Sequence, residues 1–356
     1  MRTALLASAL VLAARVVLAA DVPADPSNYR ARFARLAPGD TLRIAGGDYT
    51  QGLRVQGVHG APGAPITVEG PSSGAPARFL ARAGANTIDL ENASYVTLRN
   101  LHFDGRNLPG IDAIKAGGDA RSFTHHITIE GCAITGHDGG KTSQQTVGIN
   151  TKIVSWDWVV RGNVIDGAGT GMYLGDSDGT RGFFGGVIEG NVFRQVLGCD
   201  LLVKHQIDRG QAHVPNVPTD PRVTIVRDNV FLKTDDPSPD GVRPNVRVGG
   251  FPDSGPGSDD RYEIYGNFFA HNPRESLLEA TGRVHVHHNV FVAARESAVL
   301  FIASHGKPVI DAIAYSNTIY WTGQGIRIAD APRGRHFVGF NAILADDQFN
   351  FATAVR

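Results

Sequence analysis

The chain has 356 residues, a formal net charge of −1, two cysteines, and 43 glycines against only two methionines. So even a balance excludes a general electrostatic pull toward nucleic acid or an anionic membrane, and an anionic partner would need a local basic patch. Abundant glycine with scarce methionine suits many short strands and tight turns better than a helical protein.

Residues 1–20, MRTALLASALVLAARVVLAA, read as a secretory signal peptide. They carry Arg2, an apolar stretch interrupted by Arg15, and the small residues Ala19 and Ala20 before Asp21. A membrane span needs roughly 20 uninterrupted apolar residues, and no later segment qualifies. The expected product is secreted or periplasmic, with no membrane span and residues 21–356 as one domain. The stretch DPSNYRARFARL predicts a short N-terminal capping helix, with Ser27 or Asp25 as its cap and Tyr29, Phe33 and Leu36 on one face. PGDTLRIAGGDYTQGLRVQG then gives turn, strand, turn, strand.

The rest is a repeat built around one asparagine. VVRGNVI (Asn163), VIEGNVF (Asn191), IVRDNVF (Asn229), EIYGNFF (Asn267), HVHHNVF (Asn289), AYSNTIY (Asn317) and FVGFNAI (Asn341) each place an alternating strand before a turn and apolar residues after it. LRNLHF and IEGCAI are earlier copies, with Leu101 and Cys132 at the asparagine position. From 101 to 341 the nine copies are spaced by 30 residues on average, within the range of stacked repeats. The pattern predicts an all-β fold, a right-handed parallel β-helix solenoid of about three short strands per coil, with Val, Ile and Phe facing inward. The corner asparagines are expected to hold a left-handed backbone and to bond to one another as an amide ladder. Two longer intervals carry insertions, KHQIDRGQAHVPNVPTDP and GGFPDSGPGSDD, and long loops on a rigid scaffold usually carry function. Cys132 and Cys199 fall two coils apart, about 10 Å along the axis, so they are expected to remain unbridged.

With these coils, the opening LAPGDTLRIAGGDYTQGLRVQGVHGAPGAPITVEG resembles the pectin-lyase-like superfamily, in particular the chondroitinase B and alginate lyase family. There a GDT turn and a Gly-x-Tyr strand open the first coils. The resemblance covers nearly all of the chain after the signal peptide. It implies cleavage of a uronate-containing polysaccharide by β-elimination, with a lysine base, an arginine, and often Ca²⁺ on the carboxylate.

Strand alternation supplies candidates of its own. Laying GMYLGDSDG, DLLVKHQ, NVRVGG and LLEATG over one another puts Met172, Leu201, Val246 and Leu278 inward. Tyr173, Leu202, Arg247 and Glu279 then face out, with Gly175, Lys204, Gly249 and Thr281 two positions on. Lys204 is the candidate base, its pKa lowered by Arg247 and partial burial. Arg247 is the candidate carboxylate clamp, and His205 a second acid or base. Glu279, Tyr173, Asp176 and Arg243 are the candidate substrate-binding residues, with Gly175 and Gly249 expected to leave room for a ligand and the loops near 206–221 and 250–260 to overhang it. The same residues also read as a solvated ion-pair ladder. Asp176 with Asp178, and Asp259 with Asp260, resemble loose calcium ligand sets, although Asp-rich turns often serve only as turns. His285, His287 and His288 in RVHVHHNVF raise a metal site, while Arg99, Glu130, Arg161, Glu189 and Tyr265 form an outward column of cross-strand charge pairs. Two alternatives stand beside the lyase: a non-catalytic glycan-binding or envelope-associated protein, and a glycoside hydrolase using two of Asp176, Asp200 and Glu279. The expected partner is an acidic polysaccharide and not a nucleic acid, bound by a monomer.

Overall fold

The computed structural model describes residues 19–141, 146–239 and 241–351; the predicted signal peptide lies outside them except for Ala19 and Ala20. Period-2 alternation of Val, Ile, Leu and Phe produces short strands whose inward residues are buried, as in Val223–Arg227 and Arg261–Tyr265. Every strand ladder is parallel. The chain is a right-handed parallel β-helix of three strand columns.

The first column runs from Asp21–Ala24 through Phe123–Glu130 to His336–Gly339. The second includes Val192–Val196, Val230–Lys233 and Phe268–Asn272, and the third includes Thr170–Leu174, Leu201–Val203, Val246–Val248 and Leu278–Ala280. In the last coils the second and third columns merge into single bent strands, Val290–Phe301 and Thr318–Ile328. The core is continuous along the axis. Phe193, Phe231, Phe269 and Phe291 stack through it with centroids 5.0, 4.9 and 4.5 Å apart.

The amide ladder is present. Asn163, Asn191, Asn229, Asn267, Asn289 and Asn317 each donate Nδ2 to the Oδ1 of the next coil's asparagine at 2.9–3.1 Å. Each Nδ2 also reaches a backbone carbonyl of the preceding coil. Cys132 occupies the same position, its N–H donating to Asn163 Oδ1 at 2.9 Å. The expected left-handed asparagine is corrected. The left-handed residue is the one before: Gly131, Gly162, Gly190, Asp228, Gly266, His288, Ser316 and Phe340, with φ from 54° to 67°. The chain reverses there so that the following asparagine can turn inward, which is why glycine recurs at that place.

The helical turn is Tyr29–Phe33, and it does cover the first coils, with Tyr29 Oη donating to the Gly52 carbonyl at 2.8 Å. Neither Ser27 nor Asp25 caps it. Asn28 occupies the N-cap without a side-chain cap bond, because its amide and the Asp25 carboxylate bond to each other. Both cysteines are buried and free.

Candidate functional site

The third column carries the site. Strand register places Tyr173 beside Leu202, Leu202 beside Arg247, and Arg247 beside Glu279. Met172, Leu201, Val246 and Leu278 point into the core. Outward alternation thus brings Tyr173, Lys204 and Arg247 to one cleft of about 290 Å³, which His205 and Arg243 also line. Glu279 stands at its edge as the partner of Arg247, whose Nε lies 2.5 Å from Glu279 Oε2. Arg247 Nη2 contacts the same oxygen, so Glu279 takes the Nε–Nη2 side of the guanidinium and leaves Nη1 for a ligand. Glu279 is therefore placed to orient Arg247.

Lys204 is half-buried, and burial followed by the Arg247 charge lowers its pKa. Its Nζ lies 3.3 Å from His305 Nε2. His305 in turn bonds Ser304 Oγ through Nδ1 at 2.9 Å and stacks on His205 at 4.6 Å between centroids. Burial is also the first cause lowering the pKa of both histidines. The cleft therefore holds nitrogen bases biased toward their neutral forms beside a permanent guanidinium.

His305 was invisible to strand alternation. It sits on the turn linking Ser304 to Lys307, 101 residues from Lys204. Gly249 corrects another expectation. A Cβ there would lie 2.2 Å from the His205 backbone nitrogen, so this glycine allows one chain segment to approach another rather than making ligand space.

The long loops do not overhang the cleft; no residue from 206–221 or 250–260 lines it. The 206–221 loop packs on the opposite side of the coil corner, where Val214 covers Val154, Trp156 and Phe184. Buried Arg209 pairs with both carboxylate oxygens of Asp260, ties itself to the Pro218 and Asp220 carbonyls, and lies over Phe184. A second wall comes from the stretch between Val230–Lys233 and Val246–Val248, which supplies Arg243.

The acidic sets are engaged elsewhere. Asp176 and Asp178 bond turn groups at Ser177 and Thr180, and Asp260 belongs to Arg209. No group of three or more His, Cys, Asp or Glu able to hold a metal ion occurs among the described residues. His285 and His287 bracket Glu263 at 3.0 and 3.5 Å, in an ion-pair arrangement, and His287 stacks between Tyr265 and Tyr315. The column Arg99, Glu130, Arg161, Glu189 is paired as expected and continues through Arg227 to Tyr265. Asp200 is corrected as a cleft carboxylate: it is fully buried, pointing away from solvent near Lys233.

The alginate lyase from Paenibacillus sp. str. FPU-7 superposes with a TM-score of 0.55 at 15% identity, over 91% of this chain and 99% of that one. The shared fold is the right-handed parallel β-helix. A GH136 lacto-N-biosidase from Eubacterium ramulus shares this β-helix with a TM-score of 0.60 at 13% identity, over 93% of this chain and 68% of that one. No protein-family model matches the chain, and no curated protein matches it. Among the described residues, no helix is long and apolar enough to cross a membrane.

Proposed function

We propose that this pectin-lyase-like β-helix is an exported polysaccharide lyase that cleaves a uronate-containing chain by β-elimination. The observation that carries the reading is the pairing, in one cleft, of Lys204 with a lowered pKa and Arg247 held by Glu279. Lys204 in its neutral form takes the proton on the carbon next to the uronate carboxyl. The electron pair left behind forms the carbon–carbon double bond, the bond to the bridging oxygen breaks, and that oxygen takes a proton. Arg247 and Arg243 face the carboxylate and offset the enolate-like charge that develops on it. His305, in contact with Lys204, or His205 stacked on it, returns the proton to the leaving oxygen. The composition of the first twenty residues supports export.

A hydrolase would need two free carboxyl groups across the cleft. Glu279 is bound to Arg247, Asp176 to its own turn, and Asp200 is buried, which favours elimination.

The test is the absorbance of unsaturated product during incubation with uronate polymers. Lys204→Ala and Arg247→Ala should each abolish turnover while the fold persists, since neither side chain enters the core. Arg247→Lys should not rescue, because an ammonium lacks the planar fork. Full activity in the double alanine variant on the true substrate would overturn the assignment.

A further inference from the structure

Beyond Tyr173 the third column carries cations that the Lys204 cleft does not use. In register, the outward position runs Lys115, Asn150, Tyr173, Leu202, Arg247. Lys152, two residues past Asn150, occupies the position equivalent to Lys204 two coils earlier, with Gly175 between them. Two coil steps amount to about 10 Å along the axis. The Lys152 Nζ lies 3.4 Å from the centre of the Tyr173 ring and forms no ion pair among the described residues. Lys115 lies 3.6 Å from Asp112, whose carboxylate already accepts bonds from Asn150 Nδ2 and the Val147 N–H. Asp176 is turned to its own loop and to Arg181, 3.8 Å away. Lys115 and Lys152 thus share the outward parity of the third column next to Tyr173.

We propose that Lys152, Lys115 and Tyr173 form a second anion-binding subsite, which binds a further uronate of the same polysaccharide chain lying along the solenoid axis. The proposal rests on the acidic-polysaccharide reading of the cleft and extends it to a length requirement. An extended chain that turns alternate sugars to the same side offers carboxylates at intervals comparable to the two-coil step from Lys204 to Lys152. Tyr173 lies between the two lysines and lines the cleft, so the subsites are continuous. Burial lowers the Lys152 pKa to about 8; Asp176 and Asp112 act against that shift, while Lys115 and Lys204 add to it. Only the ammonium form grips a carboxylate, so the subsite weakens as pH rises through that value.

The experiment is calorimetric titration of the Lys204→Ala protein, which leaves the ligand intact, with di- and hexasaccharides of mannuronate, guluronate and galacturonate. A hexasaccharide should bind more tightly than its disaccharide. Adding Lys152→Met should weaken hexasaccharide binding about tenfold, the effect of one lost charged contact, and leave the disaccharide unchanged. Lys152→Arg should retain the long-chain advantage and keep it above pH 8, where the parent loses it. Equal hexasaccharide affinity with and without Lys152→Met, or an equal loss for both lengths, would overturn the subsite, as would failure of every oligomer to bind. If the unsubstituted protein forms no unsaturated product while the Lys152 effect persists, elimination fails and the subsite stands.

Discussion

At the residue scale, chemistry in the cleft depends on which lone pairs are free at the working pH. Burial and Arg247 both lower the Lys204 pKa, so the rising limb of kcat/KM against pH is expected below the ordinary lysine range. A limb at an unperturbed lysine value would remove Lys204 as the base. Asp200 provides a separate test beneath the cleft. Neither of its carboxylate oxygens has a hydrogen-bond partner, and burial pushes its pKa from 3.8 up to about 7. A raised carboxyl pKa means that the folded state holds the proton longer than the unfolded state. Its stabilising contribution is therefore fully present below pH 3.8 and is lost as pH rises through about 7. Asp200→Asn should flatten that loss, seen as a smaller drop in melting temperature between acid and neutral pH. An identical pH dependence in both proteins would show that Asp200 does not titrate as a buried acid.

At the scale of elements, the strands follow from alternation and the corners from the ladder. Asn229→Leu would strand the Asn191 donors and remove two donated bonds, and should cost about 1–3 kcal/mol for the unsatisfied buried groups. The effect is read as a lower denaturant midpoint with unchanged groove affinity; an unchanged midpoint would refute the ladder's role. The loops follow a different rule. Arg209→Ala leaves Asp260 buried without its partner and should cost about 3–5 kcal/mol, with the 206–221 loop becoming open to proteolysis. Glycan affinity should change far less, because the loop lies away from the cleft. This contrast also marks what the sequence made legible. The repeat, the inward set and the outward Lys204–Arg247–Glu279 face could all be read because a period of two leaves no freedom once the strands are aligned. Where the long loop would lie could not be read. Its position depends on an aromatic patch at Trp156 and Phe184, on short extra strands Val154–Trp156 and Phe183–Phe184 that interrupt the repeat. His305 was hidden for a similar reason, as a turn residue whose partner lies across several coils. Lys152 lies one residue past the strand Val147–Thr151, and its place in the third column shows only in the strand register.

For the whole molecule, each coil contacts mainly its neighbours, so stability accumulates locally along the axis. The first coils are covered by Tyr29 and Phe33, whereas the described coils nearest residue 351 expose Trp321, Phe340, Leu344 and Phe349. Amide hydrogen exchange should therefore be fastest in 336–351 and slowest in the coils around Leu201–Val203. Uniform protection along the chain would instead indicate a single cooperative unit. The ladder has a consequence for how such a protein can change over generations. Each asparagine bonds only to the coil on either side, so the phase of a coil is set by its nearest neighbours and not by its distance from either end. A duplicated segment of one period could enter the stack with both of its seams already matched. It would lengthen the groove by one strand spacing while leaving Lys204 and Arg247 in register, so that substrate reach could grow in discrete increments with the reaction centre unchanged.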